Sequence, residues 1–167
     1  MAMAKPVIMF ASAVCLLSLF GLAHCEPRLL VEGKVYCDTC RTQFLTKASY
    51  YIKGARVKLE CREDGKESVT LSAEAETDEA GSYRIPVEGD HEDETCGIQL
   101  VRSDDPVCSE ISEEPYQQHK ARISLTTNNG IASPVRQANP LGFLVNHPFP
   151  ECKDILRELG MTQSDLV

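Results

Sequence analysis

The sequence has no tryptophan, no internal repeat and no low-complexity tract, and beyond its first 25 residues no apolar run is long enough to span a bilayer. Positive charge is short too. Seventeen Lys and Arg face 25 Asp and Glu, a formal charge of -8, so there is no general attraction for nucleic-acid backbones. Gly-x-Ser-x-Gly and Gly-rich phosphate loops are missing, which leaves no hydrolase elbow and no nucleotide cradle to start from. Asn128, Asn129, Asn139 and Asn146 are each followed by the wrong residues for a glycan acceptor, so N-glycosylation is not expected. A charged share of 25% and a hydrophobic share of 43% are ordinary for a globular chain and argue against disorder. The length of 167 residues suits one domain plus processing segments.

What is present begins with an address. Lys5 precedes an apolar run from Pro6 to Ala23 broken only by Ser12, Ser18 and Gly21, and Ala23 and Cys25 stand at the -3 and -1 positions of a cut before Glu26. One positive charge, an apolar centre and small residues at the cut make a secretory signal over residues 1–25 rather than a membrane anchor. Cleavage removes Lys5, leaving 16 basic against 25 acidic side chains, a charge of -9. It also removes Cys15 and Cys25, leaving Cys37, Cys40, Cys61, Cys96, Cys108 and Cys152. Six cysteines bound for an oxidising compartment make three disulfides the default, each worth about 4 kcal/mol over long loops.

The mature chain alternates with a period of two. Apolar positions recur at Leu29, Val31, Val35 and Cys37, then at Ala55, Val57, Leu59 and Cys61, then at Val69, Leu71, Ala73 and Ala75. Tyr83, Ile85 and Val87 form a fourth set, Cys96, Ile98 and Leu100 a fifth, and Ala121, Ile123 and Leu125 a sixth. Such runs are strands with one face buried, and Asp64–Gly65, Glu79–Gly81, Gly89–Asp90 and Asn128–Gly130 supply the turns. The expectation is an all-β, antiparallel barrel or sandwich of about seven strands. Pro86 puts the fourth strand at an edge or ends it. Residues between Cys40 and Gly54 read as a long loop, and 102–119 as an acidic connection with a turn of helix. Cys152–Gly160 reads as a short helix whose Ile155, Leu156 and Leu159 share a face and which Gly160 ends, before a flexible tail over 161–167.

Cys61 and Cys96 both fall on inward phases, so each points into the core, as does Cys37 at the end of the first strand. Sequence leaves fifteen connectivities open for six cysteines. Cys37-Asp38-Thr39-Cys40 has the spacing of a redox dithiol, but the βαβ setting of that motif is missing, and half-cystines are the expected role. Cys61, Cys96, Cys108 and Cys152 are singly spaced, which disfavours zinc. Asp90-His91-Glu92-Asp93-Glu94 packs carboxylates around an imidazole, yet it lacks a calcium-loop spacing and follows Gly89, so it reads as a solvated hairpin tip, with cation binding left open. His119 and His147 stand in no motif.

The string Val31–Arg41, with Val35-Tyr36-Cys37-Asp38-Thr39-Cys40-Arg41 at its heart, resembles the Ole e I-like pollen proteins, the family of the major olive pollen allergen. The likeness continues through Gly54–Cys61, Thr77–Ile85, Gly89–Glu92, Ala121–Ile123, Asn129–Ile131 and Ala138–Phe143, and is greatest for the anther- and pollen-specific branch of late-anther-tomato type. It implies one disulfide-stapled β domain over 26–160 with a transthyretin-like Greek key. It also implies the pairing Cys37–Cys108, Cys40–Cys152 and Cys61–Cys96. No catalytic residue, metal or cofactor comes with the resemblance, so an enzyme is not expected. It implies a secreted, extracellular protein acting in pollen hydration, germination or tube growth, and some members are allergens. The expected role is a monomeric binding or signalling module for a receptor ectodomain or a cell-wall component, with no nucleic-acid partner. A structural wall or coat protein is the alternative, and a Cys37/Cys40 redox protein the third reading.

Overall fold

The computed structural model describes residues 28–113 and 119–161. The signal segment 1–25 and all of the tail after Met161 lie outside the described residues. The strands are β1 (Arg28–Asp38), β2 (Tyr50–Tyr51), β3 (Arg56–Glu63), β4 (Val69–Glu76) and β5 (Ser82–Glu88), followed by β6 (Glu94–Arg102), β7 (Cys108–Glu110), β8 (Lys120–Ile123), β9 (Val135–Gln137) and β10 (Leu141–Val145). One helix, α1 (Cys152–Glu158), follows among the described residues. The fold is all-β, with two open sheets.

The first sheet has the order β2-β1-β10-β7, with β5 and β9 also on β1; the second has the order β4-β3-β6-β8. β1 joins two neighbourhoods along its length. Its first part, Arg28–Lys34, pairs antiparallel with β5, while Val35–Asp38 pairs with β10. Both sheets feed one core: Val31, Val35, Ile85 and Phe143 from the first meet Val57, Leu59 and Ile98 from the second. This is the physical meaning of the period of two, since alternate side chains of each strand enter that shared layer.

Several details differ from the sequence reading. β1 pairs parallel with β9 (Leu30 opposite Val135) and with β10 (Val35 opposite Leu141), where antiparallel pairing was expected throughout. Parallel pairing needs a long crossover, and here the whole second sheet lies between the partners. β10 escaped the pattern because all five of its residues are buried, which removes the alternation that marks a half-buried strand. The short β2 and β7 arise inside segments read as loop and as acidic connection; in place of a turn of helix, the described part of that connection holds β7. Val69 is exposed because β4 is an edge strand, paired among the described residues with β3 alone. Pro86 sits in β5, whose only strand partner is β1, so its missing N–H falls at an edge. In α1, Ile155 and Leu156 are buried but Leu159 is 52% exposed, since the helix has already ended at that residue.

Candidate functional site

β1 ends in Cys37-Asp38-Thr39-Cys40, and the loop that follows is held from several sides. Cys37 is bonded to Cys108 of β7, with Cα atoms 5.8 Å apart, and Cys40 to Cys152 of α1, at 5.3 Å. The two cysteines of the Cys-x-x-Cys spacing thus belong to different bridges, and neither is the other's redox partner. Cys61 of β3 and Cys96 of β6 stand directly opposite each other and are bonded, with Cα atoms 4.0 Å apart.

Between the first two bridges, Asp38 organises the turn. It is 0% exposed. Its Oδ1 accepts from the Cys40 amide at 3.2 Å and the Thr42 hydroxyl at 3.3 Å, and its Oδ2 accepts from the Gln43 amide at 2.6 Å. A buried carboxylate persists when several donors satisfy it. Here the donors all lie between Cys40 and Gln43, so satisfying the charge folds the loop. Arg41 and Gln43 take φ of 56° and 62°, the left-handed region that side chains other than glycine enter at a cost.

Arg41 then clamps the loop to the sheet. Its guanidinium donates to both oxygens of Glu110 at 2.8 Å and to the Val145 carbonyl at 2.6 Å. Two parallel hydrogen bonds fix orientation as well as charge. The hydrogen bond from Arg41 holds the Glu110 carboxyl below the usual carboxylate range, against its partial burial.

Beyond the clamp, the loop presents apolar side chains to solvent: Phe44 is 39% exposed and Leu45 42%. Tyr50 and Tyr51 extend that surface. The Tyr50 hydroxyl donates to Asp105 at 2.8 Å, and burial, with that bond, pushes it up to about 12. The Lys34 ammonium stands 4.3 Å from the centre of the Tyr51 ring. An open cleft of about 460 Å³ separates the loop from α1, lined by Lys47, Ala48, Asp154, Ile155 and Glu158. A rigid base carrying an exposed apolar loop is suited to recognition.

At the acidic tip Asp90, Glu92 and Asp93 are exposed, while His91 and Glu94 are partly buried. His91 is only 12% exposed at its side chain; its Nδ1 lies 2.9 Å from Glu94 Oε2 and its Nε2 3.2 Å from the Glu88 carbonyl. Asp90 accepts from Thr127 at 2.7 Å and Glu92 from Asn128 at 3.2 Å, so these carboxylates turn to a neighbouring loop and do not converge on one point. Glu94 does lie near the sulfurs of Cys61 and Cys96. Those sulfurs are bonded to each other, and a disulfide offers no thiolate to a metal. His119 is half-buried, and that burial lowers its pKa. His147 is exposed.

Sequence reasoning named the cysteines but gave no role to Asp38, Arg41 or Glu110. Arg41 and Glu110 are 69 residues apart, and no local spacing connects them.

The family described as "Pollen protein Ole e 1 like" matches residues 27–160. The Olee1-like protein of Betula pendula is 58% identical over 165 residues, 99% of each chain. Pollen allergen Che a 1 of Chenopodium album is 48% identical over 96% of each chain, and anther-specific protein LAT52 of Solanum lycopersicum 47% over 95% of this chain and 97% of its own. Among solved structures, the major plantain pollen allergen Pla l 1 superposes with a TM-score of 0.67 at 37% identity, covering 75% of this chain and 99% of that one.

Proposed function

Because the chain belongs to the Pollen protein Ole e 1 like family, we propose that it is a secreted, non-enzymatic binding module of the extracellular space that acts in pollen hydration, germination or tube growth. Its leader is residues 1–25, its mature form is a monomer starting at Glu26, and it shares the allergenic character of relatives such as Che a 1. The partner is a receptor ectodomain that reads the loop between β1 and β2. One observation carries this reading: two disulfides, a buried Asp38 and the Arg41–Glu110 clamp hold Phe44 and Leu45 exposed on a fixed base. Burying two exposed apolar side chains favours a protein partner, and fixing them beforehand lowers the entropy lost on binding.

Titration of the secreted protein against ectodomains of pollen-membrane receptors tests it. Saturable binding that Phe44→Ser with Leu45→Ser weakens at least about tenfold supports the reading. No binding at tens of micromolar, or equal binding by the variant, overturns it. Intact-mass analysis checks the processing: the expected chain starts at Glu26, and none of its six cysteines is alkylated before reduction.

A further inference from the structure

The outer face of the second sheet carries positive charge on a chain whose mature net charge is -9. Two outward rows cross β3, β6 and β8, and a third joins β3 to β6. Lys58, Gln99 and Lys120 are in register; so are Glu60, Gly97 and Arg122; and Arg62 lies opposite Thr95. One carboxylate serves two cations there, since Glu60 pairs with Lys58 at 2.7 Å and with Arg62 at 3.1 Å. Lys120 and Arg122 have no ion pair among the described residues. Arg28, Arg84 and Arg102 on other strands each reach a carboxylate, while Lys34 is set over the Tyr51 ring and Arg136 donates to two carbonyls; Lys120 and Arg122 are exposed and have neither. Glu74 of β4 also stands in register with Lys58, and Asp64 accepts from Thr95 at 2.7 Å, so these carboxylates serve the β3 side of the patch and leave Lys120 and Arg122 on β8 as its two cations without an ion pair.

The backbone leaves room for a ligand at the centre of these rows. A Cβ on Gly97 would stand 3.3 Å from the Ala121 carbonyl and 3.4 Å from Lys120 Cε. Its absence opens a cleft of about 120 Å³ floored by Gly97 and lined by Arg62, Thr95, Gln99, Lys120 and Arg122, with Glu60, already paired to Lys58 and Arg62, at its β3 side. Small-molecule sites usually occupy about 300 Å³ or more, so this cleft suits one charged group and not a whole ligand. Beyond Arg122 lies a second, open cleft of about 300 Å³, where Glu92, Glu94, Thr95 and Ser124 offer hydrogen bonds and His91, engaged at both ring nitrogens, forms part of the wall.

We propose that the paired clefts bind a sugar acid, an oxyanion carried on a polyhydroxylated body. The carboxylate, sulfate or phosphate group sits over Gly97 between Lys120 and Arg122, and the hydroxyls face Thr95, Ser124 and the Glu94 carboxylate. Arg122 stands on the wall common to both clefts and orients the group with its planar fork. No Phe, Tyr or Trp lines either cleft, so the large aromatic anchors of a peptide interface are missing there. A long polyanion is repelled by the rest of the molecule, which favours an isolated charge. The site is on the other sheet from the recognition loop and stands or falls apart from it.

The test is amide chemical-shift titration of the secreted protein with glucuronate, glucose, acetate and a short Glu-containing peptide. Glucuronate is expected to saturate shifts at Thr95–Gln99 and Lys120–Ser124, glucose to give none, and acetate to bind more weakly at the same amides. Lys120→Gln with Arg122→Gln, both exposed and so compatible with folding, should weaken glucuronate by tenfold or more, by an order-of-magnitude reckoning for charge-assisted hydrogen bonds. Gly97→Ala keeps every charge but raises the floor, and it too should lose affinity; diffuse positive potential alone would leave it unchanged. Glucuronate no tighter than acetate, tighter binding of the peptide, or undiminished binding by the double variant overturns the proposal.

Discussion

Tyr83 and Gly33 face each other across β1 and β5, and the phenol end of the ring lies over the glycine. A Cβ at Gly33 would fall 2.2 Å from the Tyr83 oxygen and 2.5 Å from Cζ, so the missing side chain is what lets the ring enter the core. Gly33→Ala is therefore expected to destabilise the protein by about 1–3 kcal/mol through overpacking. The Tyr83 oxygen is buried without a hydrogen-bond partner among the described residues. A buried hydroxyl that bonds to nothing contributes only a desolvation cost, so Tyr83→Phe should leave stability within about 1 kcal/mol of the parent or raise it. Urea unfolding of both variants checks the pair, and the two signs together distinguish tight packing from polar anchoring.

Among the elements, α1 depends most on its surroundings. Seven residues are too few to be helical alone, and no side chain caps its start. Cys152 and Ile155 pack with Cys40, Ala48 and Phe149 in a small cluster of their own, which Phe149 joins to the main core. The Cys40–Cys152 bridge spans 112 residues and ties that cluster to the end of β1. Replacing both cysteines by alanine should remove about 3–5 kcal/mol, in the range for long-loop disulfides. Native-state hydrogen exchange should then show protection lost over 152–160 and in the loop after Cys40, with β3 and β6 still protected. Uniform loss across all strands would mean that the bridge supports the whole sandwich and not this corner alone.

At the scale of the molecule, the shifted groups set a window of pH. Glu110 and Asp78 are held below the usual carboxylate range, by Arg41 and by the Ser82 and Ala80 amides respectively. A carboxyl with a depressed folded pKa stabilises above its unfolded value and loses that contribution as pH falls through the folded one. Burial lowers His119, so the folded state resists its protonation, and stability also declines as pH drops below the ordinary histidine value of about 6.5. On the alkaline side the sign reverses. Burial raises Tyr36 and Tyr83 and pushes Tyr50 up to about 12, so the folded state keeps protons that the unfolded chain releases from about 10 upward. The urea midpoint should peak between neutral and mildly alkaline pH, fall gradually in acid, and fall again above about pH 10 with delayed tyrosinate absorbance. A midpoint still rising above pH 10 would contradict the burial of these three tyrosines.

The alternation of Val31, Val57, Ile85 and Ile98 determined the strands that line the core, because burial on one face of a strand writes a period of two directly into the chain. The turn residues placed their ends, and the Cys37–Arg41 string carried the family. Local pattern could say nothing of β10, whose five buried residues have no exposed face to alternate with, nor of its parallel partnership with β1, which joins residues about a hundred positions apart. The Asp38 turn, the Arg41–Glu110 clamp and the cations gathered around Gly97 belong to the same class. Each depends on distances between segments far apart in sequence, and only the packing of two sheets on one core brings those segments together.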